Sequence, residues 1–180
     1  MSSEKLNWKK YDGTPILNVA KYVKEWVEKW PYGEIMIGCD SQAHPTYIKY
    51  SVTINMHMRD DTGIGHGGHV IFANIIDYSK SIKNDLYTKL WEEAVYSVKA
   101  AQEMDAENLD VRIVVHLDYN SEEFNAKKKN YSNVLYSGGM GYVKGMLPFG
   151  NVEVFGKPDA WCASHVADSL CKNKQAKGVA

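Results

Sequence analysis

Residues 33–42 read GEIMIGCDSQ, an apolar run that meets a carboxylate at Asp40, and residues 111–120, VRIVVHLDYN, meet one at Asp118 in the same way. Aspartate is a common turn residue, so one such strand would signal only the opening of a loop. Two similarly terminated strands carry more meaning once the topology brings them together.

Working outward, TPILNVAKYVKEWVEKWP places Ile16, Val19, Val23, Trp26, Val27 and Trp30 at steps of three and four. That spacing predicts an amphipathic helix over 14–30, capped by Thr14, with Pro15 in its first turn and Pro31 at its end. After the strand at about 34–40, YIKYSVTINMHM alternates apolar and polar residues and predicts a half-buried strand. The segment DDTGIGHGG is a glycine-rich turn, and HVIFANIID returns as the second arm of a hairpin. A long helix follows over about 84–104, its stripe formed by Leu86, Leu90, Ala94, Val98 and Ala101. It leads to the strand at 111–117. A polar loop with Lys127 to Lys129, a helix with several glycines, the short strand NVEVFG and a final helix complete the chain. The expectation is an α/β fold: a five-stranded mixed sheet, three antiparallel strands then two parallel, with helices on both faces.

With right-handed crossovers, the strands ending at Asp40 and Asp118 are parallel neighbours in the middle of the sheet. Strands lie about 4.8 Å apart, so the two carboxylates share one sheet edge, where open α/β sheets bind ligands. Carboxylates that close repel unless a cation lies between them, and Mg²⁺ or Mn²⁺ suits hard oxygen ligands.

Composition narrows the class without choosing a substrate. The chain has 180 residues, 44% of them hydrophobic and 24% charged, enough for one domain with a real core. A net charge of −1 means that nucleic-acid binding would rest on local patches, not a global basic field. Three cysteines without framework spacing suit a reducing compartment. No stretch has the ~18 apolar residues of a membrane span, and the start MSSEKLNWKK has no apolar signal core. A soluble, cytoplasmic protein that does not enter a membrane is expected.

The order of elements and the acidic positions resemble the ribonuclease H-like nuclease superfamily from Gly33 to Lys172. More narrowly, GCDSQ, HLDYN and KPDAWCASHVAD are similar to signature stretches of the poorly characterised YkuK-type ribonuclease H-like family. The resemblance implies one such domain over 1–180, with the helix at 14–30 as an addition. It also implies an Asp on the first core strand (Asp40), a Glu on the first core helix, an Asp closing the fourth strand (Asp118) and a last acid on the C-terminal helix.

In KLWEEAVYSV the helix position is Glu92 or Glu93. At 100° per residue Glu93 borders the apolar stripe while Glu92 points nearly opposite, so Glu93 is chosen. The last acid is Asp159 or Asp168. Asp159 follows Pro158 and can cap the final helix, whereas Asp168 lies inside it with no capping role. Asp168 is placed ahead, with His165, three residues earlier, as an auxiliary on the same helix face. Cys39 reads as a core thiol, His116 as a satisfied half-buried residue, and His66 and His69 as exposed turn residues.

The implied function is a metal-dependent nuclease using two Mg²⁺ or Mn²⁺ ions on RNA, RNA–DNA hybrid or structured DNA. The alternative is a catalytically inactive ribonuclease H-like module that binds nucleic acid or protein. A sugar-kinase or actin type of nucleotide site would need a glycine-rich phosphate loop after the strand aspartates, and CDSQAHPT offers none.

Overall fold

The alternating segment becomes a largely buried inner strand of the sheet. In the computed structural model, which describes residues 5–79, 85–121 and 133–172, β3 spans Ile48–Arg59. It lies between β2 (Glu34–Ala43) and β4 (Gly65–Asp77), antiparallel to both. A short β1 (Lys9–Lys10) adds to the outer edge of β4. On the other side β5 (Arg112–Asn120) and then β6 (Val152–Lys157) are parallel to β2. The order is β1-β4-β3-β2-β5-β6, so the sheet has six strands, one more than expected. The addition is a two-residue edge strand, too short to leave a period-two signal.

Helix α1 (Val19–Lys29) starts later than the periodicity predicts. Asn18 caps it by accepting from the Lys21 N–H, and Val19, Val23 and Val27 are its buried stripe. Pro15 instead pairs with Lys9 in an isolated bridge, so neither Thr14 nor Pro15 opens the helix. Trp8 is buried beside it and donates its indole N–H to Glu103.

Helix α2 (Leu86–Glu103) is capped by Asp85, which accepts from the Tyr87 and Thr88 N–H groups. Its buried face comprises Leu90, Glu93, Ala94, Ser97, Val98 and Ala101, while Leu86 is largely exposed. Glu93 therefore lies on the buried stripe itself and not at its border. Helix α3 (Asn133–Met146) packs on β5 through Gly139, where an added Cβ would fall 2.3 Å from the Tyr119 ring. This close approach explains how a glycine-bearing helix is useful here. The lysine-rich loop containing Lys127 to Lys129 lies outside the described residues.

Two expectations about the strands change. In β3, Ser51, Thr53 and Asn55 are buried along with the apolar set, so the strand is covered on both faces, not half-buried. The cover is the C-terminal segment: the Cys162 thiol meets Thr53 at 3.5 Å, and Lys49 donates to the Leu170 and Cys171 carbonyls. The glycines of GHGG belong to β4, and the turn is confined to the residues between Asp60 and Ile64. No helix among the described residues is long and apolar enough to cross a membrane.

Candidate active site

Asp40 does not end its strand. β2 runs on to Ala43, still paired with β3, and β5 runs on to Asn120. What stops is the parallel pairing between them, whose last partners are Gly38 and His116. Asp40 and Asp118 each stand two residues further on, in matching register and on the same sheet face. The strands part where the carboxylates begin.

That face is covered by a π-helical turn (Cys162–Ala167) running into α4 (Asp168–Lys172). Gly38 admits the turn: a Cβ there would lie 2.6 Å from the Ala163 nitrogen and 2.8 Å from its Cα. The Asp168 N–H reaches back to the Ala163 carbonyl, the five-residue step of a π turn. Such a turn advances fewer degrees per residue than an α-helix, which brings Ser164 into line with Asp168. Ser164 donates to Asp118 at 2.5 Å, while His165 is exposed.

Glu93 arrives from the opposite side of the sheet. It is 3% exposed, and Ser41, the residue after Asp40, donates to its Oε1 at 2.5 Å. Its Oε2 is buried with no hydrogen-bond partner among the described residues. Burial, with the Asp40 charge next, pushes the Glu93 carboxyl well above the usual range. Glu92 instead has its carboxyl raised by burial and by Asp77, away from this cluster.

Asp40 shows the crowding most directly. Burial raises its carboxyl to about 7, and Asp118 and a carboxyl–carboxyl hydrogen bond with Asp168 add to the rise. Asp40 on β2 thus interacts with Glu93 from α2, Asp118 from β5 and Asp168 from α4. Asp159 goes elsewhere: it lines a separate cavity with His116 and Trp161, and no side-chain cap holds the helix start. A proline-linked turn, with the Asp159 N–H bonded to the Gly156 carbonyl, keeps it outside the helix.

The remaining singled-out residues have structural partners. Cys39 is buried in the core. His116 is 4% exposed, accepts from the Cys162 N–H at Nδ1 and is held down to about 4, chiefly by burial. His66 pairs with Asp60, whereas His69 is only half-exposed and meets the Tyr22 hydroxyl at 2.7 Å. Sequence reasoning missed Ser41, Ser164 and Lys157, which lies 2.8 Å from Asp118. A serine or lysine in these positions has no distinctive spacing that would reveal it.

Among the described residues, no three His, Cys, Asp or Glu side chains stand grouped to hold a metal ion as they are. Other side chains engage three of the acids. Lys157 and Ser164 occupy Asp118, Lys172 lies 2.7 Å from Asp168, and Ser41 holds Glu93. The donor chemistry nevertheless fits a hard divalent cation: the acids are oxygen ligands, and buried Oε2 of Glu93 lacks a partner among the described residues.

A family model described as ribonuclease H-like matches residues 17–172. The chain belongs to the ribonuclease H-like family. No curated protein matches this ribonuclease H-like chain. Among solved structures it is similar to the N-terminal RNase H domain of Rv2228c from Mycobacterium tuberculosis, studied as a fusion with maltose binding protein. That match is 10% identical, covers 77% of this chain and 93% of the other, and has a TM-score of 0.34. The superposition adds no argument to the family match and the strand order. In this ribonuclease H-like chain the acids that the topology brings together lie where the parallel pairing of the two central strands stops.

Proposed function

We propose that this protein is a divalent-metal-dependent nuclease whose metal ligands are Asp40, Glu93, Asp118 and Asp168. The single observation that carries the reading is the placement of Asp40 and Asp118 in matching register just beyond the parallel pairing of β2 and β5, with Asp168 and Glu93 acting on Asp40 from α4 and α2. Structure without function would seldom set acids around a buried carboxyl and leave one of its oxygens without a partner among the described residues. Mg²⁺ or Mn²⁺, two ions in the full site, would supply Lewis-acid activation of water and stabilisation of the departing oxygen.

The chain's own residues would do the positioning. Ser41 orients Glu93 and Ser164 orients Asp118, each by a short hydrogen bond. Lys157, already beside Asp118, would move its ammonium toward a substrate phosphate when the carboxylate turns to a cation. His165 is exposed on the covering turn and would serve as an auxiliary at the solvent side. Asp159, outside the cluster, has no ligand role in this proposal. The substrate is a nucleic acid: RNA, RNA–DNA hybrid or structured DNA.

One observation favours a second reading, a catalytically inactive binding module: lysines already neutralise Asp118 and Asp168. A cleavage panel separates the two. RNA, hybrid, single strands and a branched junction are incubated with Mg²⁺, Mn²⁺ or EDTA, beside Asp40→Asn. Metal-dependent cut products absent from the variant support the nuclease. Binding without cleavage at any metal concentration supports the module.

A further inference from the structure

A second concavity lies on the same sheet face as Asp40 and Asp118, on the other side of the π turn. It has a volume of about 300 Å³, and its lining includes His116, Phe155, Asp159 and Trp161 together with Glu34, Arg59 and Arg112. This is the small end of the range for ligand cavities. His116 precedes Asp118 by two residues, so the cavity begins roughly 7 Å along the strand from that acid.

The lining is specific in its chemistry. Trp161 is 40% exposed, an aromatic face left open to solvent. Its ring centroid lies 5.9 Å from that of His116, and Phe155 lies 6.5 Å from His116 on another side. His116 is a buried polar side chain with one nitrogen committed. Its Nδ1 accepts from the Cys162 N–H, which leaves the ring proton on Nε2. The one hydrogen bond of the ring among the described residues is at Nδ1, and the ring lines the cavity, so Nε2–H is offered there as a donor. Asp159 offers carboxyl oxygens as acceptors beside it.

The charges argue against a simple anion. Arg112 is engaged by Glu34 and, through two bonds of 3.0 Å, by Glu153. Arg59 is engaged by the other oxygen of Glu34. With Asp159 added, carboxylates outnumber guanidinium groups around the opening. A neutral, planar ligand with an aromatic face and both donor and acceptor edges suits this lining better than a phosphate.

We infer that this cavity binds one unpaired nucleobase of the nucleic acid, stacked on Trp161 and read at its edge by His116 Nε2–H and the Asp159 carboxylate. The inference rests on the nucleic-acid reading of the site, since the cavity and the acids share one face. It makes the substrate a strand with at least one unstacked base next to the cleavage position. Such single-stranded elements are where aromatic stacking is used for recognition.

The test is binding without catalysis. The four nucleoside monophosphates, a tetranucleotide and ribose 5-phosphate are titrated in EDTA and followed by tryptophan fluorescence and calorimetry. The proteins are wild type, the surface variants Trp161→Ala and Asp159→Asn, and Asp40→Asn. The expected result is that at least one nucleoside monophosphate and the tetranucleotide bind wild type and Asp40→Asn alike. Binding should fall roughly tenfold or more in Trp161→Ala and several-fold in Asp159→Asn. Equal binding of ribose 5-phosphate, unchanged affinity in both surface variants, or no binding by wild type would overturn it. Loss of cleavage in Asp40→Asn is read separately with metal, so the base cavity and the nuclease reading can fail independently.

Discussion

Asp40 and Asp118 each stand two residues beyond Gly38 and His116, the last partners of the parallel pairing between β2 and β5. The matching offset puts both carboxylates on one face of the sheet, at the point where two neighbouring strands stop sharing hydrogen bonds. Asp168 descends on them from the C-terminal helix and Glu93 rises from α2. The arrangement predicts measurable consequences.

Asp40 ties stability to pH. Its folded-state value of about 7 exceeds the ordinary 3.8, so the folded protein holds this proton more tightly than the unfolded chain. The contribution is fully present below about pH 4 and is lost as pH rises toward and through about 7. The loss is of order 2–4 kcal/mol. In EDTA, wild-type melting temperature should fall from pH 5 to pH 8.5, and Asp40→Asn should fall less. Parallel curves for the two proteins would refute this origin.

Glu93→Gln keeps an oxygen for the Ser41 hydroxyl and removes a buried titratable carboxyl. Its melting temperature in EDTA at neutral pH should equal or exceed that of wild type. Metal-dependent cleavage should drop by about a hundredfold or more, since the orphaned Oε2 is lost as a ligand. A variant that unfolds, or one that cleaves normally, would argue that Glu93 is only a core residue.

Gly38 is a spacing device between β2 and the π turn. Gly38→Ala would press a methyl group on backbone atoms of Cys162 and Ala163, so the turn must shift. The cost should be roughly 1–3 kcal/mol by chemical denaturation. Because Ser164 and Asp168 move with the turn, turnover should fall further than stability accounts for. Proportionate losses would mean that the turn is only packing.

The choice of the fourth acid can be settled by a pair of variants. Asp168→Asn should abolish metal-dependent turnover with little change in melting temperature. Asp159→Asn should leave cleavage of a saturating substrate near wild type, because its carboxylate lies in the neighbouring cavity. The reverse result would transfer the ligand role to Asp159.

Much of this fold was legible because patterning and topology are strong signals. The adjacency of the Asp40 and Asp118 strands followed from crossover handedness, and the inward side of Glu93 on its helix from a helical angle. The errors have local causes. Asn18 and not Thr14 caps α1, because Pro15 is drawn into a bridge with Lys9. The alternation of β3 suggested an open face, yet a distant C-terminal segment covers it. Within that segment, helical counting aligned His165 with Asp168, and the wider π turn puts Ser164 in that role. Lys157 beside Asp118 depends on a β5–β6 register shift between His116 and Asn120, which no spacing in the sequence encodes.

The most direct test of the central claim is Mn²⁺ binding by calorimetry at pH 8, on wild type, Asp40→Asn and Asp118→Asn. Ligand acids must be deprotonated to bind a cation, so wild-type affinity should also be weaker at pH 6 than at pH 8. The account predicts that wild type binds Mn²⁺ and that both variants lose it while remaining folded. Mn²⁺ affinity unchanged in both variants would contradict it.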